Sequence, residues 1–285
     1  MSKVISIANQ NDFDIVQCHD ENLLSFFKLI NKPTFYTMHS VPEEFWKSYL
    51  HPDLISEDLN LVAVSNRQKE IFTQEGWKIK YVVHNGFDVD VNNFSDKYDY
   101  FFSLGILAPR KGHHLAIKVA KKLNKDLLIA GNMDDRQYFE EQLKPHITHD
   151  LEKDNDKLLA YKNLGNGKGR IIYVGKVNDE QKMPLYAHAN AFFALSTFED
   201  PLPGVVIETM ACGTPVIGSK KGGIPEMIVD GKTGYIVDIE KIDEITDATR
   251  DIGNINPVEC RKRYEQNFTS KRMAEEYLKL YNLVM

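Results

Sequence analysis

At 285 residues, with 42% hydrophobic content, the chain can build one large domain or two of ordinary size with real cores. Its 35 basic and 41 acidic residues, net charge −6, are mixed along the sequence, which argues against the basic excess that binding a nucleic acid backbone requires. Its 3 cysteines, Cys18, Cys212 and Cys260, are far apart, indicate neither a disulfide framework nor a CxxC metal site, and fit a reducing cytosol.

The first stretch, MSKVISIANQNDFDIVQ, has no apolar core of signal-peptide length, and no later window reaches the roughly 20 apolar residues of a membrane span. The expected location is cytoplasmic or peripheral to a membrane, and the sequons at Asn93 and Asn267 are read as chance. Short runs rich in β-branched and aromatic residues then alternate with amphipathic segments, the pattern of parallel α/β layers. In chain order the expected strands are FDIVQC, TFYTMH, LVAVS, YVVHNG, YFFSLGIL, DLLIAG, RIIYVG, AFFALS, TPVIGS and GYIVD. Polar, aperiodic residues from Val89 to Asp99 read as a linker between an N-terminal unit, 1–94, and a larger unit, 95–285. Leu115, Val119 and Leu123 mark a helix after PRKG. Thr148 to Arg170 reads as a solvated surface insertion, Glu208 to Cys212 as the close of a short helix, and Met273 to Leu283 as an amphipathic helix within a C-terminal segment, 266–285, able to pack back on the first unit.

In open α/β sheets ligands bind beyond the carboxyl ends of the strands, where helix starts attract anions. After YFFSLGIL comes APRKGHH, in which Arg110 and Lys111 supply fixed charge and Gly112 allows close backbone passage; a phosphate or diphosphate suits it, and so does a plain basic turn. After AFFALS comes TFEDPLPG. Asp200 stands seven intervening residues before Glu208, Glu199 eight, and carboxylates so placed can face one crevice and bind sugar hydroxyls. Glu208 could instead charge the start of its helix. Gly222 and Gly223 in SKKGGIPEM permit either a close approach to a ligand or a tight turn.

Taken together, LGILAPRKG, FEDPLPGVVIETMACGTPVIGS and GGIPEMIVDGKTGYIVD, with VSNRQKEIF and VVHNGFDVD before them, resemble the retaining glycosyltransferases of family 4, over about Asp14 to Asp238. The resemblance implies an α/β, GT-B-type fold of two Rossmann-like domains with parallel sheets, here with the first one truncated. It implies transfer of a sugar from a nucleoside-diphosphate sugar to a glycan, lipid or small-molecule acceptor, with retained configuration and neither metal nor cofactor. Lys111, with Arg110 and Gly112, would hold the diphosphate, and Glu208 the ribose hydroxyls. Asp200 or Glu199 would contact the donor sugar, Gly204 would open the helix beneath the ligand, and Gly222 and Gly223 would line the sugar-phosphate site. FDIVQCHD points to His19 near the donor sugar, and TMHS, more weakly, to His39.

Two features depart from the family. Ile106 follows Gly105 where an arginine is usual, and the N-terminal unit is short, without the family's first strand and glycine-rich loop. A homodimer or a second subunit could cover the sheet edge this leaves. The readings are therefore an active glycosyltransferase, a non-catalytic nucleotide-sugar-binding or scaffold subunit, and, last, another enzyme of the same fold such as an epimerase or phosphorylase.

Overall fold

The computed structural model describes residues 2–41, 59–90, 97–165 and 168–285. The segments rich in β-branched and aromatic residues form two all-parallel sheets. The first contains β1 (Val16–Cys18), β2 (Thr34–Thr37), β3 (Asn60–Ala63) and β4 (Tyr81–Val82), in sequential order. The second contains β5 (Tyr100–Leu104), β6 (Asp126–Ala130), β7 (His149–Asp150), β8 (Ile171–Gly175), β9 (Ala191–Ala194), β10 (Val216–Ser219) and β11 (Gly234–Val237). Its order, β11-β10-β9-β5-β6-β8-β7, reverses direction between β5 and β9. That reversal opens a crevice at the strand ends.

Strand side chains alternate between two buried faces. Tyr100, Phe102, Leu128, Ile172 and Phe192 enter one core, while Phe101, Leu127, Ile129, Ile171 and Phe193 enter the other. This explains the continuous apolar runs of the central strands, since a parallel sheet covered on both sides has no polar face. In the first sheet, Cys18, Tyr36, Leu61 and Ala63 face one core, and Phe35, Val62 and Val83 face the other. The helix Ser270–Tyr281 covers the second of these faces with Met273, Tyr277, Leu280 and Tyr281. Two polar contacts pin it: the hydroxyls of Tyr277 and Thr37 are hydrogen-bonded, and the Tyr281 hydroxyl donates to Gln17 Oε1 at 2.9 Å.

Several elements differ from the sequence expectation. The chain starts with a helix, Ser2–Gln10, where none was expected, because Ala8 and Ile5 pack beside Phe27. FDIVQC shrinks to three strand residues. Thr148–Arg170 is not a solvated insertion: it contains the edge strand β7 and the helix Lys157–Asn163, and Leu151 and Tyr161 enter the core. Two of its cations have buried partners. Lys157, 2% exposed, donates to the carbonyls of Leu151 and Glu152, while Tyr161 and Arg170 both donate to buried Asp126. Of the expected linker, residues 91–96 lie outside the described residues, with the sequon at Asn93. Its start is not a solvated connection, since Val89 is buried beside Tyr100 and Phe102 and donates its N–H to the Tyr264 hydroxyl. The helix that carries Glu208 runs from Gly204 to Ala211 with Cys212 as its C-cap, so the segment from Glu208 closes a short helix as expected.

Candidate functional site

A cavity of about 110 Å³ lies where the strand order reverses. Ser103, Leu104 and Gly105 bring the end of β5 to it, and Ala194, Ser196 and Asp200 bring the end of β9 and its loop. Lys111 reaches in from the following turn, and Gly204 and Val205, the first residues of the helix Gly204–Ala211, complete the wall. A helix start adds partial positive charge to that of the lysine.

Lys111 Nζ donates to Asp200 Oδ2 at 2.6 Å, and the Ser196 hydroxyl reaches the same oxygen at 3.4 Å. Asp200 is 6% exposed, so it is a buried carboxylate held by one cation at the bottom of the crevice. The turn carrying Lys111 is fixed on both sides. Gly112 sits at φ 72°, with the Leu195 carbonyl where a Cβ would go. His113 is fully buried, which lowers its pKa to about 4 and keeps the ring neutral. Its Nε2–H donates to the Ile106 carbonyl at 3.2 Å, so Nδ1 accepts from the Ser103 hydroxyl at 2.8 Å. Phe198 offers its ring face to Lys111 at 5.1 Å and to Arg110 at 5.9 Å. Arg110 is half-exposed and lies 3.8 Å from Asp134, so its guanidinium is turned toward β6 instead of the cavity wall.

Glu208 is the fifth residue of its helix, beyond the first-turn amides, so the alternative that it charges the helix start does not hold. Its carboxylate accepts from Lys182 Nζ at 2.8 Å and from the Tyr186 hydroxyl at 3.1 Å, both on the helix Asp179–His188 after β8. Burial lowers the Lys182 pKa, but Asp179 and Glu208 outweigh it and raise the value overall.

The neighbouring acids have separate fates. Glu199 receives a two-point contact from Arg67, Nε at 2.9 Å and Nη2 at 3.2 Å, and also the N–H of Gly222 at 2.8 Å. The Arg67 hydrogen bonds hold its pKa below the usual carboxylate range. Gly222, at φ 59°, leaves no room for a Cβ against the backbone of Asp200, and Gly223 leaves none against the Pro201 carbonyl. Gly223 N–H donates to the Asp200 carbonyl at 2.8 Å. The glycine pair thus clasps the Glu199–Pro201 loop. Gly204 packs under the Phe87 ring, where a Cβ would sit 3.3 Å away.

His19 and His39 end β1 and β2, with Nδ1 and Nε2 2.8 Å apart and rings stacked at 5.1 Å. Burial lowers both pKa values, and in His39 the charge of His19 lowers it further.

Sequence reasoning missed several partners. Glu226 accepts from the Asn66 amide at 2.9 Å, the Asn66 side chain at 2.8 Å, the Arg67 amide at 2.7 Å and His84 Nε2 at 3.1 Å. Burial would raise its pKa, but these bonds outweigh it and hold the value at about 2. Arg67, Lys182, Tyr186 and His113 were missed too. Arg67 and Glu226 stand inside the quoted stretches VSNRQKEIF and GGIPEM, but nothing in their spacing joins them. Among the described residues no group of three or more His, Cys, Asp or Glu is placed to hold a metal ion, and no helix is long and apolar enough to cross a membrane.

Residues 86–271, more than half of the chain, match the family model for glycosyl transferases group 1. The chain is 32% identical over 123 residues to spore coat protein SA of Bacillus subtilis, covering 40% of this chain and 32% of that protein. It is 26% identical over 269 residues to an uncharacterized glycosyltransferase of Methanocaldococcus jannaschii, covering 80% of this chain and 63% of that protein. It therefore spans less than two thirds of either relative. Among solved structures, Anabaena HepE in complex with UDP superposes with a TM-score of 0.75 at 19% identity, covering 99% of this chain and 81% of that one. The sucrose-phosphate synthase of Thermosynechococcus elongatus gives 0.69 at 19%, covering 99% and 76%. The fold is α/β and GT-B-like.

Proposed function

Because the chain belongs to the group 1 glycosyl transferases and is a transferase enzyme, we propose that it moves a sugar from a nucleoside-diphosphate sugar to an acceptor hydroxyl, with retention of configuration and without a metal. The observation that carries this reading is the Lys111–Asp200 pair inside a crevice at the strand reversal, facing a helix start. In the proposed complex Lys111 Nζ turns to the diphosphate, and Asp200 then accepts from hydroxyls of the donor sugar. Glu208, held by Lys182 and Tyr186, takes the ribose hydroxyls. Arg110 and Gly112 shape the diphosphate turn. Gly204 and Val205 face the phosphates, while Gly222 and Gly223 act by holding the Asp200 loop. His19, following β1 of the first sheet, is assigned to the donor sugar.

The acceptor hydroxyl attacks the anomeric carbon on the face from which the nucleotide leaves. The carbon–oxygen bond to the phosphate breaks, and the departing phosphate oxygen takes the hydroxyl proton. The developing negative charge on the diphosphate is met by Lys111 and the helix start, so these groups bind the transition state more tightly than the ground state. Uridine is the donor nucleoside to test first, since HepE was solved with UDP. Three buried, unpaired thiols support a reducing, cytoplasmic setting.

A panel of labelled nucleotide sugars, assayed with simple glycoside acceptors in the presence of EDTA, tests the reading. Transfer with the donor's anomeric configuration retained, abolished in Glu208→Ala, is expected. Inverted product, or loss of turnover on chelation, would overturn the retaining, metal-free mechanism. A second reading, a nucleotide-sugar-binding subunit completed by another chain, draws on Ile106 and on an Arg110 turned toward Asp134. Binding of nucleoside diphosphates without any transfer by the purified chain would favour it.

A further inference from the structure

The two flanks of the Gly222–Gly223 pair are both held from the first sheet. On one flank is Glu199, which accepts from Arg67 Nε and Nη2. On the other is Glu226, in the turn Ile224–Met227 that follows the glycines, whose carboxylate sits on the amides of Asn66 and Arg67. These are the first two residues of the helix Asn66–Gln74, capped by Ser65, so the carboxylate also meets a helix start. The glycine pair then grips the Asp200 loop from inside: Gly222 N–H donates to Glu199, Gly223 N–H donates to the Asp200 carbonyl, and no side chain fits between.

We propose that Arg67 is a positioning residue for the donor site, which places the Asp200 carboxylate by bracing Glu199 and the Gly222–Gly223 clasp from the opposite sheet. The argument is one of connectivity. Asp200 contacts Lys111 and Ser196 through its side chain and Gly223 through its carbonyl, and the tie of that loop to the first sheet runs through Glu199. Among the described residues, Arg67 alone joins both flanks, by its side chain to Glu199 and by its amide to Glu226. A planar guanidinium making two parallel bonds fixes direction as well as distance, which an ammonium does not. Removal of this brace frees Glu199 to rotate and leaves the glycine clasp held on one side. Arg67 is not among the described residues that line the cavity, so its effect on transfer is indirect.

The inference concerns the same site as the transferase reading and rests on it for its catalytic consequence, but its structural core is measured without any substrate. Hydrogen exchange on the full chain compares the wild type with Arg67→Ala, Arg67→Lys, Glu199→Gln and Glu70→Gln. Glu70 bonds the solvent side of Arg67 at 2.7 Å and serves as the control. Arg67→Ala and Glu199→Gln are expected to speed exchange of the Gly222 and Gly223 amides about tenfold or more, with β8 amides unchanged and Glu70→Gln like the wild type. Unchanged exchange at Gly222 and Gly223 in both variants overturns the proposal, as does acceleration spread equally over β8, which would mark general loosening. With UDP-glucose as the probe for donor hydrolysis or transfer, Arg67→Ala should lower kcat at least tenfold with KM changed less than threefold, and Arg67→Lys should recover only part of it. A rise in KM with kcat intact would place Arg67 in donor binding and refute positioning. If UDP-glucose and the wider donor panel give no turnover at all, the transferase reading fails while the exchange result still decides the brace.

Discussion

The two sheets are built alike and used differently. Both are parallel and covered on two faces, yet the seven-stranded sheet keeps its chemistry in its own loops: Lys111, Asp200 and Gly204 meet within one cavity, and Glu208 is held by Lys182 and Tyr186 of the same unit. At the carboxyl ends of its strands the four-stranded sheet presents a histidine pair after β1 and β2 and, after β3 and β4, Asn66, Arg67 and His84, which reach Glu199 and Glu226 of the second unit. On the proposed reading, one half makes the donor site and the other aims it. The comparison teaches that a site built around one strand reversal is local, while its alignment depends on contacts far apart in the chain.

The strongest way to break this division is Lys111→Ala. It removes the one cation beside Asp200, so turnover should fall about 10²–10³-fold in a steady-state transfer assay. The same change leaves a buried carboxylate without its partner, at a cost of about 1–3 kcal/mol in denaturant titration. Equal activity in the variant would remove the second sheet's claim to the chemistry. Next come the adjacent acids: Asp200→Asn should lose about 10²-fold in turnover and Glu199→Gln nearer tenfold, since only Asp200 lines the cavity. The reverse ranking would return the sugar contact to Glu199.

A smaller effect concerns the docking of the sheets and depends on pH. The folded pKa of Glu226 is about 2 against an ordinary 4.5, so its contribution to stability is full above pH 4.5 and is lost as pH falls toward 2. Thermal unfolding of Glu226→Gln across that window should show a shallower fall than the wild type, and parallel curves would refute the sign. His113 acts in a higher window. Its lowered value means the unfolded chain binds the proton first, so stability declines as pH drops from about 6.5 through 4, and His113→Asn should flatten that part of the profile. The smallest effect is Tyr277→Phe, which removes the bond to Thr37 under the C-terminal helix. About 0.5–1.5 kcal/mol should be lost, seen as a drop of a few degrees in Tm with turnover unchanged.

Much of this was legible in the chain. Strands β5, β6, β8, β9 and β10 are continuous apolar runs, and the carboxylates and basic turn follow them at recognisable positions. Periodicity misled where charge is dense: Thr148–Arg170 looks like a solvated face, but Lys157 is buried because two backbone carbonyls satisfy it, and Tyr161 faces the core. It was silent on the first helix, Ser2–Gln10, whose ordering depends on Phe27 and its neighbours.

The sequence by itself determined the α/β class, the order of the loops that follow the strands of the second sheet and the charged residue types they carry, because these depend on local pattern and on spacing within one strand-loop-helix unit. Which of Glu199 and Asp200 faces the cavity was decided only by tertiary structure. Seven- and eight-residue spacings place either acid near Glu208, and the choice falls to partners 89 and 132 positions away in the chain, Lys111 for Asp200 and Arg67 for Glu199. A carboxylate goes where a cation meets it: Lys111 meets Asp200 within the seven-stranded sheet, and Arg67 meets Glu199 across the two sheets.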